Sequence, residues 1–281
     1  MHLPHLWRFC ARRLEILSLL RREDGLRCLL SKPWETGSSG SKILPGMRLS
    51  HRPMIFFRRT ECYTVESRLG GGRYGVCYLA RDPEGRRVVL KKFRPKIWRE
   101  NSGGNHHEAV ILSGLDHPAI PEFLGVLNLP QGYFFILEYK QGTTLKDLLF
   151  HRHTEFTESM ILRVGTQLLD ILSYIHSRSV VHGDISISNI VDDGRQTALL
   201  DFGLARYTGG DLSVDLDHSC FGNVLLYLLY SRYRGKKFGA WYEELDLSAG
   251  KTLFLKRLMG LEAPFCDDAE VKEAFLTFFS D

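Results

Sequence analysis

The sequence predicts an α+β protein with two lobes, a β-rich N-lobe over about 60–139 and a helical C-lobe over about 140–281. Three observations lead to this fold class. Short runs of β-branched and aromatic residues come first, and segments with helical periodicity follow from residue 143. The length of 281 residues with 44% hydrophobic content suffices for one large domain or two lobes. Because strands and helices occupy separate parts of the chain, a cleft is expected between two segregated bodies.

The N-lobe prediction rests on strand-like runs separated by turn residues. Three such runs predict an antiparallel meander, and LGVLNLPQGYFFILEY (124–139) predicts a hairpin with its turn at Pro130-Gln131-Gly132. A helix is expected over 105–115, ending before His117-Pro118 because the residue before a proline disfavours helical geometry. The meander runs are YTVESRLG (63–70), VCYLARD (76–82) and RRVVLKKF (86–93).

The C-lobe prediction rests on helical periodicity. A short helix is expected in TTLKDLLFHR (143–152) and a longer one over 156–178, for which Thr157 is the N-cap candidate. The longest clean apolar run, FGNVLLYLLY (221–230), has about the length of a buried core helix. It falls short of the ~18 apolar residues that a membrane span requires.

The first 59 residues differ from the remainder in charge. They hold 12 Lys/Arg and 4 Asp/Glu, a net charge of +8, whereas the remainder carries −4. Within them, residues 31–46 are rich in Gly, Ser and Pro and predict a flexible linker. We interpret residues 1–59 as a poorly ordered basic extension, or as translated sequence upstream of the true start. The alternatives are a basic amphipathic anchor for an anionic membrane or for nucleic acid, and a segment that packs on the domain.

Cysteine usage and the N-terminus bear on the expected compartment. The six cysteines are scattered and form no CxxC pair, so neither a zinc site nor a disulfide framework is expected. Glu15 interrupts the apolar run near the N-terminus and arginines flank it, which is atypical of a signal peptide. A reducing, cytoplasmic location is therefore expected.

A glycine-rich stretch, LGGGRYGVCYLA (69–80), contains the pattern G-x-G-x-x-G at Gly70, Gly72 and Gly75. Glycines let the backbone bend sharply and bring N–H groups close to phosphate oxygens. Predicted strands lie on both sides, unlike the strand and helix of a dinucleotide-binding fingerprint. We therefore count this loop, with the preceding Leu69, as a candidate nucleotide-binding element; a plain glycine-rich hairpin is the alternative.

A lysine and a glutamate form the next candidate pair. In VVLKKF (88–93), Lys91 alternates inward with Val89, whereas Lys92 should face solvent. Glu108 lies on the helix predicted over 105–115 and is the natural ion-pair partner of Lys91. Lys91 would then hold nucleotide phosphates while Glu108 keeps its amine oriented. A surface-strand lysine is the alternative.

The stretch VVHGDISISNIVDDGRQTALLDFGLAR (180–206) contains the residue types that phosphoryl transfer requires. His182-Gly183-Asp184 is followed five residues after Asp184 by Asn189, and DFG begins at Asp201. Phosphoryl transfer needs a carboxylate near the attacking hydroxyl and oxygen ligands for magnesium. Both groups are therefore predicted in this stretch.

In this order and spacing, the motifs resemble those of the protein-kinase-like superfamily over roughly 60–281. The resemblance implies ATP and Mg²⁺ as cofactors, with the glycine loop over the ATP phosphates and Lys91 binding them. It implies Asp184 as the catalytic base, and Asn189 and Asp201 as the magnesium ligands. The backbone of Glu138 to Lys140, in ILEYKQG, is implied to meet adenine.

Two positions depart from the family pattern. Gly183 stands where the family usually has an arginine that receives an activation-loop phosphate, so the usual phosphorylation switch is not expected. Ser186 stands where a lysine usually touches the γ-phosphate, and its loss is expected to weaken stabilisation of transition-state charge.

The segment after DFG is also short. Asp217 follows Asp201 by only 16 positions, and no A-P-E occurs, so the peptide-docking platform is reduced. H-G-D and the short segment resemble compact bacterial Ser/Thr kinase-like proteins. The family's buried-helix aspartate, which braces the catalytic loop, corresponds to Asp217 or to Asp215.

The function expected from this resemblance is a compact Ser/Thr protein kinase that phosphorylates a protein substrate, with autophosphorylation a reasonable first activity. One alternative is a small-molecule phosphotransferase, although residues 140–156 are too few for the usual acceptor insert. Another is a non-catalytic nucleotide-binding scaffold, which Ser186 keeps open.

Removal of residues 1–55 distinguishes the interpretations of the basic extension. If the extension is an anchor, the truncated protein loses sedimentation with anionic liposomes, because about 1 kcal/mol of attraction is lost per basic residue near the surface. If it is an appendage, the truncated and full-length chains sediment equally, and this equality rejects the anchoring role. Neutral liposomes serve as the control surface.

Overall fold

The computed structural model describes residues 55–58, 61–71, 75–94, 102–130, 132–209, 213–235 and 239–280. All of them lie within the unit Arg52–Asp281. The predictions for residues 1–54, and the one for Gly72, fall outside the described residues.

The N-lobe is an antiparallel sheet with one helix. The six strands are ordered β1-β2-β3-β4-β6-β5. The predicted meander corresponds to β2, β3 and β4 and the predicted hairpin to β5 and β6, whereas β1 was not predicted: it lies in the segment assigned to the basic extension and pairs with β2. One sheet face carries a small apolar cluster that includes Leu90, Leu127 and Phe134. The elements are β1 (Ile55–Arg58), β2 (Glu61–Gly71), β3 (Gly75–Arg81), β4 (Arg87–Phe93), α1 (Ser102–Ser113), β5 (Phe123–Leu129) and β6 (Gly132–Glu138).

The C-lobe is helical, with short strands around the loop that carries Asp184. None of the helices in the described part of the chain has the length and apolar character needed to cross a membrane. The elements are β7 (Thr143–Thr144), α2 (Leu145–Phe150), α3 (Glu158–His176), β8 (Val180–Val181), β9 (Ile190–Asp192), β10 (Thr197–Leu199), a 3₁₀ turn (Phe202–Leu204), β11 (Arg206–Tyr207), α4 (Val214–Tyr230), α5 (Trp241–Glu244), α6 (Ala249–Leu258) and α7 (Asp268–Phe279).

Helix α3 matches the helix predicted over 156–178. Thr157 is its N-cap, and the Thr157 hydroxyl accepts a hydrogen bond from the Met160 N–H at 3.3 Å. Apolar residues at three- and four-residue spacing, among them Val164 and Leu168, are fully buried against the core. The apolar run 221–230 lies in α4, whose side chains are buried on most sides, as its length predicts.

Helix α7 packs closely on α3 at a glycine. A Cβ atom at Gly165 would lie 2.2 Å from Cζ of Phe275. Phe275 is fully buried and stacks on Phe279, with 4.6 Å between the ring centroids. A glycine inside a helix costs about 1 kcal/mol of helix stability relative to alanine. At Gly165 this cost allows a close contact between α3 and the C-terminal helix.

Replacement of this glycine tests the contact. Gly165→Ala is expected to lower the free energy of unfolding by about 1–3 kcal/mol, because the added methyl forces the Phe275 ring and α7 to shift. Denaturant unfolding measures this loss. Gly114→Ala is the matched control, since a Cβ there meets ordinary contacts at 3.5 Å or more; an equal loss in both variants would contradict the packing argument.

Candidate active site

Side chains from both lobes meet at Lys91. Its Nζ atom donates to Oε1 of Glu108 at 2.6 Å and to Oδ1 of Asp201 at 2.8 Å. Lys91 comes from β4, Glu108 from α1, and Asp201 directly precedes the 3₁₀ turn. The structure therefore brings together the lysine and glutamate that the sequence paired, and adds the aspartate of DFG.

Strand register explains why Lys91 points inward. In the sheet, Lys91 lies opposite Cys77 of β3 and Phe135 of β6, and only 5% of its surface is exposed. Burial acts against the ammonium charge, but the Glu108 and Asp201 carboxylates outweigh it and raise the pKa of Lys91. Lys91 is therefore a fixed positive charge in the cleft.

Asp201 adopts a strained backbone conformation. Its φ is 62°, in the left-handed region that costs a residue with a Cβ about 1–3 kcal/mol. The Asp201 carboxylate accepts from the Gly203 N–H at 3.3 Å, and its side chain is 46% exposed. Although burial acts in the opposite direction, the Lys91 ammonium holds the pKa of Asp201 below its usual value. The contacts with Lys91 and Gly203 thus hold an ionised carboxylate in place despite the strained backbone.

Asn189 and Asp184 are coupled within the same loop. Nδ2 of Asn189 donates to the Asp184 backbone oxygen at 2.9 Å and to Asp184 Oδ2 at 3.1 Å. The Asn189 backbone oxygen in turn accepts from the Leu200 N–H at 2.7 Å, which joins the loop to the strand before DFG. With Nδ2 turned toward Asp184, the amide oxygen lies on the other side of the Asn189 side chain.

His182, for which the sequence predicted no separate role, connects the two motifs. Its Nδ1 accepts from the Asp184 N–H at 3.2 Å, and its Nε2 donates to the Leu200 oxygen at 3.1 Å. The ring packs against Phe202 with 4.7 Å between centroids. Burial lowers the pKa of His182, so the neutral ring acts as donor and acceptor at once. The H of H-x-D was the signal available in the sequence.

The structure distinguishes the two candidates for the bracing aspartate. Asp217 has no exposed surface, and its carboxylate accepts from the backbone N–H of His182 at 2.7 Å and of Gly183 at 2.8 Å. Asp215 is exposed and contacts Ser213 at the start of α4. Gly183 has a φ of 76°, a conformation that glycine adopts without a Cβ penalty. The brace is therefore Asp217.

The described part of the glycine loop lies at the ends of β2 and β3. Gly70 is exposed, and Leu69 before it is 47% exposed. At Gly75 a Cβ would lie 2.0 Å from the Lys92 backbone oxygen. Gly75 is thus required where β3 runs against β4, a packing reason that exists beside the predicted role in phosphate binding.

The predicted adenine-contacting segment begins at Glu138, the last residue of β6. The Glu138 N–H donates to the Glu122 oxygen at 2.9 Å. Nζ of Lys140 donates to the Pro118 oxygen at 2.7 Å and forms an ion pair with Oε2 of Glu138 at 2.7 Å. These contacts tie the segment between the lobes to the loop after α1.

Cys77 is a further cleft residue to which the sequence assigned no role. It lies opposite Lys91 in the sheet, and burial raises the pKa of its thiol to about 11. The sequence could not show this, because the effect depends on which strand neighbours Cys77. The thiol is therefore protonated at neutral pH.

Comparisons of the sequence with known proteins find a matching family model and several similar proteins. A family model for the protein kinase domain matches residues 63–222. The chain is 36% identical over 222 residues to a Bacillus subtilis (strain 168) protein named "Probable serine/threonine-protein kinase YbdM", which covers 75% of this chain and 87% of that protein.

Two eukaryotic proteins are similar over part of their length. Identity is 29% over 234 residues to the "Probable serine/threonine-protein kinase KIN1 homolog" of Enterocytozoon bieneusi (strain H348), covering 79% of this chain and 38% of that protein. It is 30% over 208 residues to human "Serine/threonine-protein kinase Nek11", covering 70% and 30%. The chain thus spans less than half of these two proteins.

Substitution of the brace should cost far more than substitution of its neighbour. Asp217→Ala leaves two backbone N–H groups and a histidine without their acceptor, so a loss of about 3–5 kcal/mol in unfolding free energy is expected. Asp215→Ala is the control and should cost less than about 1 kcal/mol, as exposed polar contacts do. Denaturant unfolding compares them; similar losses in both variants would refute the assignment of Asp217.

Proposed function

The chain belongs to the protein kinase family and is a serine/threonine-type protein phosphotransferase. From this membership we propose that it transfers the γ-phosphoryl group of ATP, with Mg²⁺, to hydroxyl groups of a protein. The observation that carries the proposal is the contact of Lys91 with both Glu108 and Asp201 across the cleft. It supports a cleft arranged for a polyphosphate and its cation.

Lys91 and the glycine loop would hold the nucleotide phosphates. Glu108 fixes the buried ammonium of Lys91, and the positive charge of Lys91 would attract phosphate oxygens. Gly70, Gly72, Gly75 and Leu69 would cover the phosphates with backbone N–H groups. The backbone of Glu138 to Lys140 would meet the adenine.

Asp201 and Asn189 would hold magnesium. The strained, ionised carboxylate of Asp201 and the amide oxygen of Asn189 are oxygen donors of the kind that Mg²⁺ prefers, so these residues fit the ion. When bound, the ion would neutralise phosphate charge. Asp184 would accept the proton of the attacking hydroxyl, and Asn189 holds the Asp184 carboxylate in place.

Ser186 limits the expected rate. A serine supplies no cation beside the transferred phosphoryl group. In the family, a lysine at this position usually helps to stabilise the negative charge of the transition state. Here Lys91 and the metal would have to stabilise that charge without it. In this chain the Ser186 backbone oxygen accepts from the Asn189 N–H at 2.9 Å, a contact that preserves the loop without a basic side chain. We therefore propose an active but slow enzyme.

A protein acceptor is favoured over a small molecule. Only β7 and the six-residue α2 lie between the adenine-contacting segment and α3, which leaves no insert to enclose a small acceptor. Autophosphorylation is proposed at Thr208 or Ser213, the Ser/Thr hydroxyls in the short segment before Asp217. A cytoplasmic location is part of the proposal.

Label transfer from ATP tests the function. With Mg²⁺ and casein or a basic protein as acceptor, Asp201→Ala and Lys91→Met are each expected to lower transfer by about 10²–10³-fold, because each removes charge stabilisation at the phosphates. Lys92→Met is the matched control, since Lys92 neighbours Lys91 on β4, contacts Phe134 instead of the acidic groups, and should leave transfer unchanged.

Transfer that survives Asp201→Ala would overturn the proposal, as would absence of both transfer and ATP binding in the unaltered protein. ATP binding without transfer to any protein would favour the non-catalytic scaffold. Transfer confined to small hydroxylated acceptors would favour the small-molecule enzyme.

A further inference from the structure

A chain of four ionisable side chains, three of them buried and Asp268 partly buried, runs from the loop that carries Asp184 to the C-terminal helix. His176, the last residue of α3, lies between Asp217 and Asp268: its Nε2 is 3.0 Å from Asp217 Oδ2, and its Nδ1 is 2.9 Å from both Asp268 oxygens. His218 of α4 completes the chain, with its Nε2 2.6 Å from Asp268 Oδ1. Asp268 is the first residue of α7.

The geometry determines the protonation of His176. An ionised carboxylate only accepts hydrogen bonds, so a ring nitrogen that faces one must carry a hydrogen. Both ring nitrogens of His176 face carboxylates, and a ring with two N–H groups is an imidazolium. His218 donates to Asp268 through Nε2 by the same reasoning.

These distances suit hydrogen bonds better than a metal. Ligands that lie about 2.0–2.1 Å from a tetrahedral zinc ion are separated from each other by about 3.3 Å. The contacts of Asp268 with the two histidines are 2.6 and 2.9 Å, and His176 also has Asp217 as a partner. Among these described residues, each candidate ligand group already has a hydrogen-bond partner.

We propose that Asp268 and His176 are positioning residues. The His176 imidazolium lies between two carboxylates, so the position of α7, which carries Asp268, determines the position of Asp217. Asp217 in turn determines the position of the loop that carries Asp184. Asp217 contacts the loop directly through the N–H groups of His182 and Gly183. The inference rests on the proposed role of Asp184 as the base.

This link joins three helices of the C-lobe, α3, α4 and α7. Asp268 connects α7 to α3 and α4 at one point, and the close contact at Gly165 lies along the same pair of helices. A carboxylate in the first turn of a helix is also stabilised by the helix dipole. Asp268 is therefore held at a defined place relative to the loop.

The charges around His176 support the arrangement. The described groups that face it are Asp217 and His218 on α4 and Asp268 on α7. Burial works against its charge, but the two carboxylates outweigh burial and raise the pKa of His176 from 6.5 to about 9. The contribution of the imidazolium is thus fully present below about pH 6.5 and is lost as pH rises through about 9.

Asp268→Asn tests the proposal because it keeps the shape and removes one carboxylate. With only Asp217 left, His176 should lose its proton at lower pH than in the unaltered protein. At about pH 8, kcat is expected to fall about tenfold relative to the unaltered protein, with KM for ATP within about twofold, since a misplaced base slows chemistry more than binding. At about pH 6 the ratio should return toward one, and Asp268→Glu should restore the rate at both pH values.

Asp170→Asn is the matched control. Asp170 of α3 pairs with Lys272 of α7 on the exposed side of the same two helices and does not contact the loop. It should leave kcat and its pH profile unchanged. Equal losses in both variants, or a pH-independent loss in Asp268→Asn, would show general helix docking and overturn the proposal.

Two readouts do not require activity. The backbone amide resonances of His182 and Gly183 should shift in Asp268→Asn and stay in place in Asp170→Asn; unmoved resonances in Asp268→Asn overturn the inference. If the unaltered protein transfers no phosphate, the proposed function fails and these spectra alone decide the link. Addition of zinc should show no stoichiometric binding, and one zinc per chain that is lost in His218→Ala would replace the hydrogen-bonded chain with a metal site.

Discussion

The conformation of the loop that carries Asp184 depends on one buried side chain, the carboxylate of Asp217. Removing a carboxylate from water costs several kcal/mol unless donors replace the lost hydration. The backbone N–H groups of His182 and Gly183, with the ring of His176, supply those donors. Two of the three donors are backbone N–H groups of the loop itself. The hydrogen bonds that satisfy the Asp217 carboxylate therefore also fix the conformation of the loop.

A second charged contact makes the two lobes into one site. Lys91 belongs to the sheet, while Asp201 belongs to the C-lobe, and their contact depends on a backbone conformation that Asp201 would not adopt alone. Glu108 then decides whether α1 is correctly placed, since its contact with Lys91 needs the helix against the sheet. Thus the strain at Asp201, the charge of Lys91 and the position of α1 support one another.

Much of this architecture was predictable from local patterns. Thr157 as a cap, the hairpin of β5 and β6, and the inward face of Lys91 all follow from short-range periodicity and turn chemistry. The choice between Asp215 and Asp217 was not predictable, because both lie in the first turn of α4 and only tertiary contacts separate them. His176 and Asp268 are 92 residues apart in the chain, and no sequence pattern predicts the hydrogen bond between them.

Cys77 bears on how the cleft would respond to reactive compounds. The thiolate, not the thiol, attacks electrophiles and is oxidised first. With its pKa raised to about 11 by burial, the Cys77 side chain is almost entirely protonated at neutral pH. An acrylamide-type covalent inhibitor that entered the cleft would therefore find a slow partner there, and the same protonation would protect the cleft from peroxide. An inhibitor could gain selectivity at Cys77 only through reversible packing against its sulfur atom, which is large and polarisable.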